Sequence, residues 1–124
     1  MALATVALLA ACGQRAENPA VPSALYPGET PQMRRLVREY AANLQIPEAL
    51  LHRVIQRESD YRADARNGPY YGLMQILPET AATMGYDGPP SGLLDPRVNL
   101  RYAGAYLRGA WLVSGGDIDA AIDW

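Results

Sequence analysis

Glu58-Ser59 is followed, fourteen residues after the glutamate, by Gly72-Leu73-Met74-Gln75-Ile76. A carboxyl group at the end of an apolar helical stripe, with a glycine-started segment returning toward it, suits a general acid working in a cleft. Within Glu48–Glu58, the residues Leu50, Leu51, Val54 and Ile55 share one face at amphipathic-helix spacing. Steps of three, four or seven residues along that face land on Glu58. An isolated carboxylate is costly to bury, so desolvation favours its neutral form, which can protonate a leaving oxygen at neutral pH. The competing reading places Glu58 in solvent at the helix end, beside Arg57 and Arg62. Spacing alone leaves both open.

The elements that must position the acid follow from the local pattern. Pro47 suits the first helical turn, where no amide donor is needed. After Glu58, Asp60, Asp64, Asn67, Gly68 and Pro69 form a turn-rich loop, and Tyr70, Tyr71, Leu73, Met74 and Ile76 a short strand-like run closed by Pro78. Upstream, Thr30 caps and Pro31 opens a helix with Leu36, Val37, Tyr40, Ala41 and Leu44 on one face. Arg34, Arg35, Arg38 and Glu39 are expected on its solvated side. Downstream, Pro78–Met84 reads as a brief helix stopped by Gly85, and 87–92 as a Gly-Pro loop. A long helix is expected from about Pro96 to Val113, burying Val98, Tyr102, Ala105, Tyr106 and Leu112. Gly115-Gly116 break it, and Asp117 caps a last helix from Ile118. The class is mainly α with a small β-hairpin element, in one domain without internal repeats.

Taken together, these residues resemble the central signature of the lytic transglycosylase SLT-domain family of peptidoglycan-cleaving enzymes, whose fold is g-type-lysozyme-like α+β. Its pattern is Glu-Ser at a helix end, an aromatic residue, a turn-rich loop, then Gly-Leu-Met-Gln-Ile and a proline. Here it stands as Glu58-Ser59, Tyr61, the loop to Tyr71, Gly72 to Ile76, and Pro78. The likeness continues through Ala81, Leu94-Asp95-Pro96, Asn99-Leu100 and Ala103-Gly104-Ala105-Tyr106-Leu107. It covers roughly residues 31–124, and the joint order of these elements is specific.

The resemblance implies roles for single positions. Glu58 is the catalytic acid and base. Ser59 hydrogen-bonds near that carboxyl or holds the helix end. Gln75 is a cleft-lining amide able to read N-acetyl and hydroxyl groups, and Met74 and Tyr71 are apolar cleft walls. Gly72 gives the backbone room to approach Glu58 or the glycan. Ordinary glycosidases place a second carboxylate about 5 to 9 Å from the acid. Asp60, Asp64, Asp87 and Asp95 have no evident claim to that role. In the resembling family the substrate's own N-acetyl oxygen supplies the missing group. The implied reaction is non-hydrolytic cleavage of the MurNAc-β-1,4-GlcNAc bond, leaving a 1,6-anhydro end. Two alternatives remain open: a hydrolysing, lysozyme-like muramidase, and a non-catalytic peptidoglycan-binding lipoprotein.

Met1 to Ala11 is nearly all apolar, and Leu9-Ala10-Ala11-Cys12 matches a lipoprotein signal-peptidase site. The stretch is too short for a permanent membrane span. Cys12 is thus the expected lipidation site, and with Gly13 after it the expected location is the periplasmic side of an outer membrane. The expected organisation is a signal segment (1–12), a Pro-rich tether (13–30) and the SLT-like domain (31–124). The chain stops at Trp124 in mid-helix, before the family's tyrosine-containing segment, and so reads as a domain truncated at its C-terminus.

Composition narrows the partners. With one cysteine and one histidine, His52, neither a disulfide framework nor a cysteine- or histidine-based metal site is expected, and no cofactor is implied. His52 is expected at the core edge. A net charge of −2, with all eleven cations arginine, gives no support to nucleic-acid binding. The expected partners are peptidoglycan glycan strands and, through Cys12, a membrane.

Overall fold

The computed structural model describes residues 18–122. Among the described residues, five α-helices and one two-stranded antiparallel hairpin form a mainly helical domain. Helix α1 (Pro31–Leu44) starts as its sequence predicts: Thr30 Oγ1 accepts from the Met33 amide, and Pro31 fills the first turn. It ends at Gln45, whose left-handed conformation turns its amide back onto the Ala41 and Ala42 carbonyls. Pro47 then leads into α2 (Glu48–Glu58). Strands β1 (Arg66–Asn67) and β2 (Tyr70–Tyr71) pair with Arg66 opposite Tyr71 and Asn67 opposite Tyr70, across the Gly68-Pro69 turn. After α3 (Pro78–Thr83), a short 3-10 helix (Pro90–Leu94) occupies part of the expected Gly-Pro loop. Helix α4 (Pro96–Val113) has its predicted bounds, with Asp95 accepting from the Arg97 amide as cap. Helix α5 (Ile118–Ile122) is capped through Asp117.

The core gathers Leu50, Leu51 and Ile55 of α2 with Val37 of α1, Leu73, Leu93 and Leu100, all fully enclosed. Each such leucine contributes about 1.5–3 kcal/mol by leaving water. The stripe of α2 is therefore the buried face its spacing predicts. Helix α4 buries a different face from the expected one: Leu100, Ala103, Gly104, Leu107 and Ala110 point inward, whereas Tyr106 and Leu112 are half-exposed. Small residues decided this. A Cβ at Gly104 would press on the Leu44 side chain, so α4 can lie close against α1 only along its Ala-Gly face.

Three further expectations are corrected. Gly72–Ile76 is a turn rather than a strand, joined back to β2 by a single bridge between Tyr71 and Ile76. Arg34, expected on the solvated side of α1, is buried: its guanidinium bonds the Glu29 carboxylate (2.5 and 2.7 Å) and the Pro22 and Ala24 carbonyls. Residues 22–30, expected in the tether, consequently pack onto the helical body, with Tyr26 against His52 and Tyr61. A buried guanidinium needs carboxylate and carbonyl partners, and this segment provides them. Cys12 and residues 13–17 of the expected tether lie outside the described residues, as do 123 and 124. Among the described residues, no helix is long and apolar enough to cross a membrane.

Candidate active site

Helix α2 runs through the core and ends at Glu58, which delivers that side chain to the rim of an open pocket of about 440 Å³. Val54, Met74, Ile76 and Leu107 contribute apolar wall, and Tyr70 and Tyr106, both about half-exposed, stand at it as well. Among the described residues, Glu58 is the sole acidic side chain lining the pocket, and Arg57 the sole basic one. Arg57 Nε donates to Glu58 Oε1 at 3.0 Å. The Glu58 side chain is 29% exposed, not enclosed as the stripe predicts. The helix terminates there, so the apolar face carries Glu58 to the pocket mouth instead of into the core.

The turn Gly72–Gln75 is fixed to both flanking helices by buried hydrogen bonds. From α2, Ser59 Oγ donates to the Leu73 carbonyl at 2.6 Å, and the Ser59 amide closes the helix on Ile55. From α4, the fully buried Asn99 accepts from the Met74 amide (2.8 Å) and donates to the Tyr71 and Leu93 carbonyls (2.9 Å each). Gly72 has φ +77, and a Cβ there would overlap the Leu93 carbonyl oxygen and the Asn99 side chain. Its room is therefore used for packing against Asn99 and the 3-10 helix, not for approach to Glu58. Gln75, also left-handed at φ 53, donates through Nε2 to the Ala65 (3.1 Å) and Gly72 (2.9 Å) carbonyls. Its Oε1 is buried without a partner. Both donor protons are thus committed to the loop, and only the acceptor side remains for a ligand.

Of the predicted site residues, Glu58, Met74 and Gln75 line the pocket. Ser59 and Gly72 act beneath it as supports, and Tyr71 lies beside it with the Arg66 guanidinium 3.6 Å from its ring centroid. The sequence reading named Asn99, Arg57 and Tyr70 without giving them a role in the site, and expected Tyr106 to be buried. For Asn99 a signal existed: an amide four residues before Ala103 and three before Tyr102, at the start of a helix otherwise lined with apolar and small residues.

Behind α2 lies a second polar group. His52 is 1% exposed, with Nδ1 2.8 Å from the Tyr61 hydroxyl and Glu29 Oε1 3.8 Å away, while Nε2 has no partner. Burial pushes the imidazole below its ordinary range, against the opposing pull of Glu29 and Glu48. Burial alone would raise Glu29, but hydrogen bonds from Arg34 and the Tyr26 amide, with the charges of His52 and Arg34, bring it below its usual value. Burial likewise raises the Tyr61 phenol. Asp60 (φ 52) and Tyr61 (φ 66) are consecutive non-glycine residues in left-handed conformation directly after Ser59. Each such residue costs about 1–2 kcal/mol and persists only where its surroundings enforce it. Among the described residues, no group of three or more His, Cys, Asp or Glu side chains converges to hold a metal ion.

The family model described as transglycosylase SLT domain matches residues 35–122. Among solved structures, the fold is similar to the 70 kDa soluble lytic transglycosylase from Escherichia coli, with a TM-score of 0.61 and 26% identity over 67% of this chain. It is equally similar to the complex of the 70-kDa soluble lytic transglycosylase with bulgecin A, at a TM-score of 0.62 and 26% identity over 67% of this chain. In both comparisons the chain spans 15% of the other protein's length.

Proposed function

The chain belongs to the transglycosylase SLT domain family, and from that premise we propose that it is a peptidoglycan lytic transglycosylase with Glu58 as its single general acid and base. The observation that carries the reading is the pocket itself: among the described residues, one carboxyl group reaches it and no second acidic residue lines it. A hydrolase of the two-carboxylate kind needs a nucleophile or a water-activating base about 5 to 9 Å from the acid. A reaction in which the sugar provides both partners does not.

In the proposed cycle the Glu58 carboxyl protonates the glycosidic oxygen as the MurNAc C1–O4 bond of the β-1,4 linkage breaks, releasing the GlcNAc 4-hydroxyl. The N-acetyl oxygen of the same MurNAc stabilises the cationic C1. The Glu58 carboxylate then takes the proton of the MurNAc 6-hydroxyl, whose oxygen bonds to C1 and closes the 1,6-anhydro ring. No water is consumed, and Glu58 ends protonated as it began. Intramolecular attack of this kind reaches effective molarities of about 10⁵ M or more when well oriented. Arg57, 59% exposed, pairs with Glu58 in a screened setting, so the contact adds little stability and serves to orient the carboxyl. The half-exposed rings of Tyr70 and Tyr106 offer apolar faces to sugar rings at the pocket. The lipobox Leu9–Cys12 supports attachment to the periplasmic side of an outer membrane through a lipid on Cys12.

Mass spectrometry of the products from purified peptidoglycan tests the reading. The expected fragments end in 1,6-anhydroMurNAc; fragments one water heavier, with reducing ends, would make the protein a muramidase instead.

A further inference from the structure

Residues 22–30 lie before the segment matched by the family, yet they contact the turn that follows the acid at Asp60 and Tyr61, and His52 of α2 behind it. Tyr26 stacks on Tyr61, with centroids 6.4 Å apart and an interplanar angle of 13°, and tilts against His52 at 5.2 Å. Glu29 Oε1 lies 3.8 Å from His52 Nδ1, and Glu29 is itself fixed by Arg34 and the Tyr26 amide. Gly28, at φ +82, rests on the Asp60 backbone so closely that a Cβ would come within 2.8 Å of the Asp60 carbonyl oxygen. Asp60 and Tyr61 are the left-handed pair, and the Asp60 and Ser59 amides both bond the Ile55 carbonyl (3.0 and 2.9 Å) at the end of α2. Tyr61 is further held by His52 and by Gln56 Nε2 at 3.2 Å.

We propose that residues 22–30 are a strap that holds the left-handed Asp60–Tyr61 turn in place and so sets the position of the Glu58 carboxyl, with Tyr26, Gly28 and Tyr61 as positioning residues. The inference rests on the assignment of Glu58 as the acid. A turn that two unfavourable backbone conformations would otherwise relax is enforced by stacking from one side and backbone contact from another. Release of the strap lets Asp60 and Tyr61 leave the left-handed region, and the last turn of α2, which ends in Glu58, loses its cap. A shift of about 1 Å at a catalytic group lowers turnover by up to about a hundredfold while leaving the rest of the binding surface in place.

The test uses Gly28→Ala, Asp60→Gly and the double variant of the full chain, assayed well below each melting temperature. Gly28→Ala drives a methyl group into the Asp60 carbonyl; Asp60→Gly removes the cost of the left-handed conformation. Gly28→Ala is expected to lower kcat by at least about tenfold with KM nearly unchanged, and the double variant to recover most of that loss. Amide hydrogen exchange at Ser59 and Asp60 is expected to speed up in Gly28→Ala and to slow again in the double variant. This readout does not need turnover, so it decides the strap even if the wild-type chain proves not to cleave glycan. A Gly28→Ala protein with a lower melting temperature but wild-type kcat and unchanged exchange at those two amides would reduce the strap to a general stabiliser and overturn the proposal.

Discussion

Ser59 Oγ donates to the carbonyl of Leu73 at 2.6 Å and thereby ties the end of the acid-bearing helix to the turn that forms the opposite pocket wall. Ser59 is 3% exposed and its bond is the direct covalent-free link between α2 and Gly72–Gln75. Ser59→Ala leaves the Leu73 carbonyl without this buried partner, which costs about 1–3 kcal/mol. Urea unfolding checks that loss. Turnover is expected to fall with it, because Met74 and Gln75 ride on the same turn.

Asn99 makes three bonds to this turn and its neighbour with no exposure of its own. Asn99→Leu, close in volume, strips the partner from the Met74 amide and from the Leu93 carbonyl, while the Tyr71 carbonyl keeps the Ile76 amide at 3.1 Å. The expected cost is about 2–6 kcal/mol, since each unpaired buried group costs about 1–3 kcal/mol. Gly72→Ala is expected to be as severe, combining φ +77 with overlap onto Leu93 and Asn99. Thermal unfolding of both variants checks this, and a Gly72→Ala protein of wild-type stability would contradict the packing role given to that glycine.

The buried cluster behind α2 makes the protein acid-sensitive. Because burial lowers the affinity of His52 for a proton in the folded state, the unfolded chain protonates first as pH falls. Its contribution to stability is complete above about 6.5, the unfolded value, and is lost below it. Glu29, lowered in the folded state, contributes above its ordinary 4.5 and loses that contribution as pH falls further. Melting temperature is therefore expected to decline from pH 7.5 to pH 5.5 and to decline again below pH 4.5. His52→Phe is expected to cost stability at pH 7.5 but to flatten the first decline; an unaltered slope would remove His52 as its source.

The proposed attachment through Cys12 predicts that Cys12→Ser abolishes incorporation of labelled fatty acid and releases the protein from the membrane fraction. Wild-type chain found unlabelled in a cell that processes lipoproteins would contradict it.

The sequence made the helices legible because their signals are local. Thr30-Pro31, Asp95-Pro96 and the α2 stripe each depend on neighbours within one or two turns, and the structure follows them. The burial of Arg34 was not legible, since it depends on Glu29 and on carbonyls up to twelve residues away in a segment whose prolines suggest a tether. The exposed setting of Tyr106 was also hidden, and that of Glu58 was one of two readings that spacing left open. Helical spacing assigns a face but does not say where that face runs out of neighbours, and at this pocket both α2 and α4 do so. Gly72 was singled out for the room its missing side chain leaves, but the neighbours that use that room, Leu93 and Asn99, could only be found in three dimensions.

The most direct measurement is glycan turnover by Glu58→Gln, which keeps the shape of the side chain and removes its acid, run beside a sedimentation assay of binding to intact peptidoglycan. The account predicts that cleavage falls by at least about a hundredfold while binding is retained. Turnover within a few-fold of wild type would contradict it and place the catalytic proton on another residue.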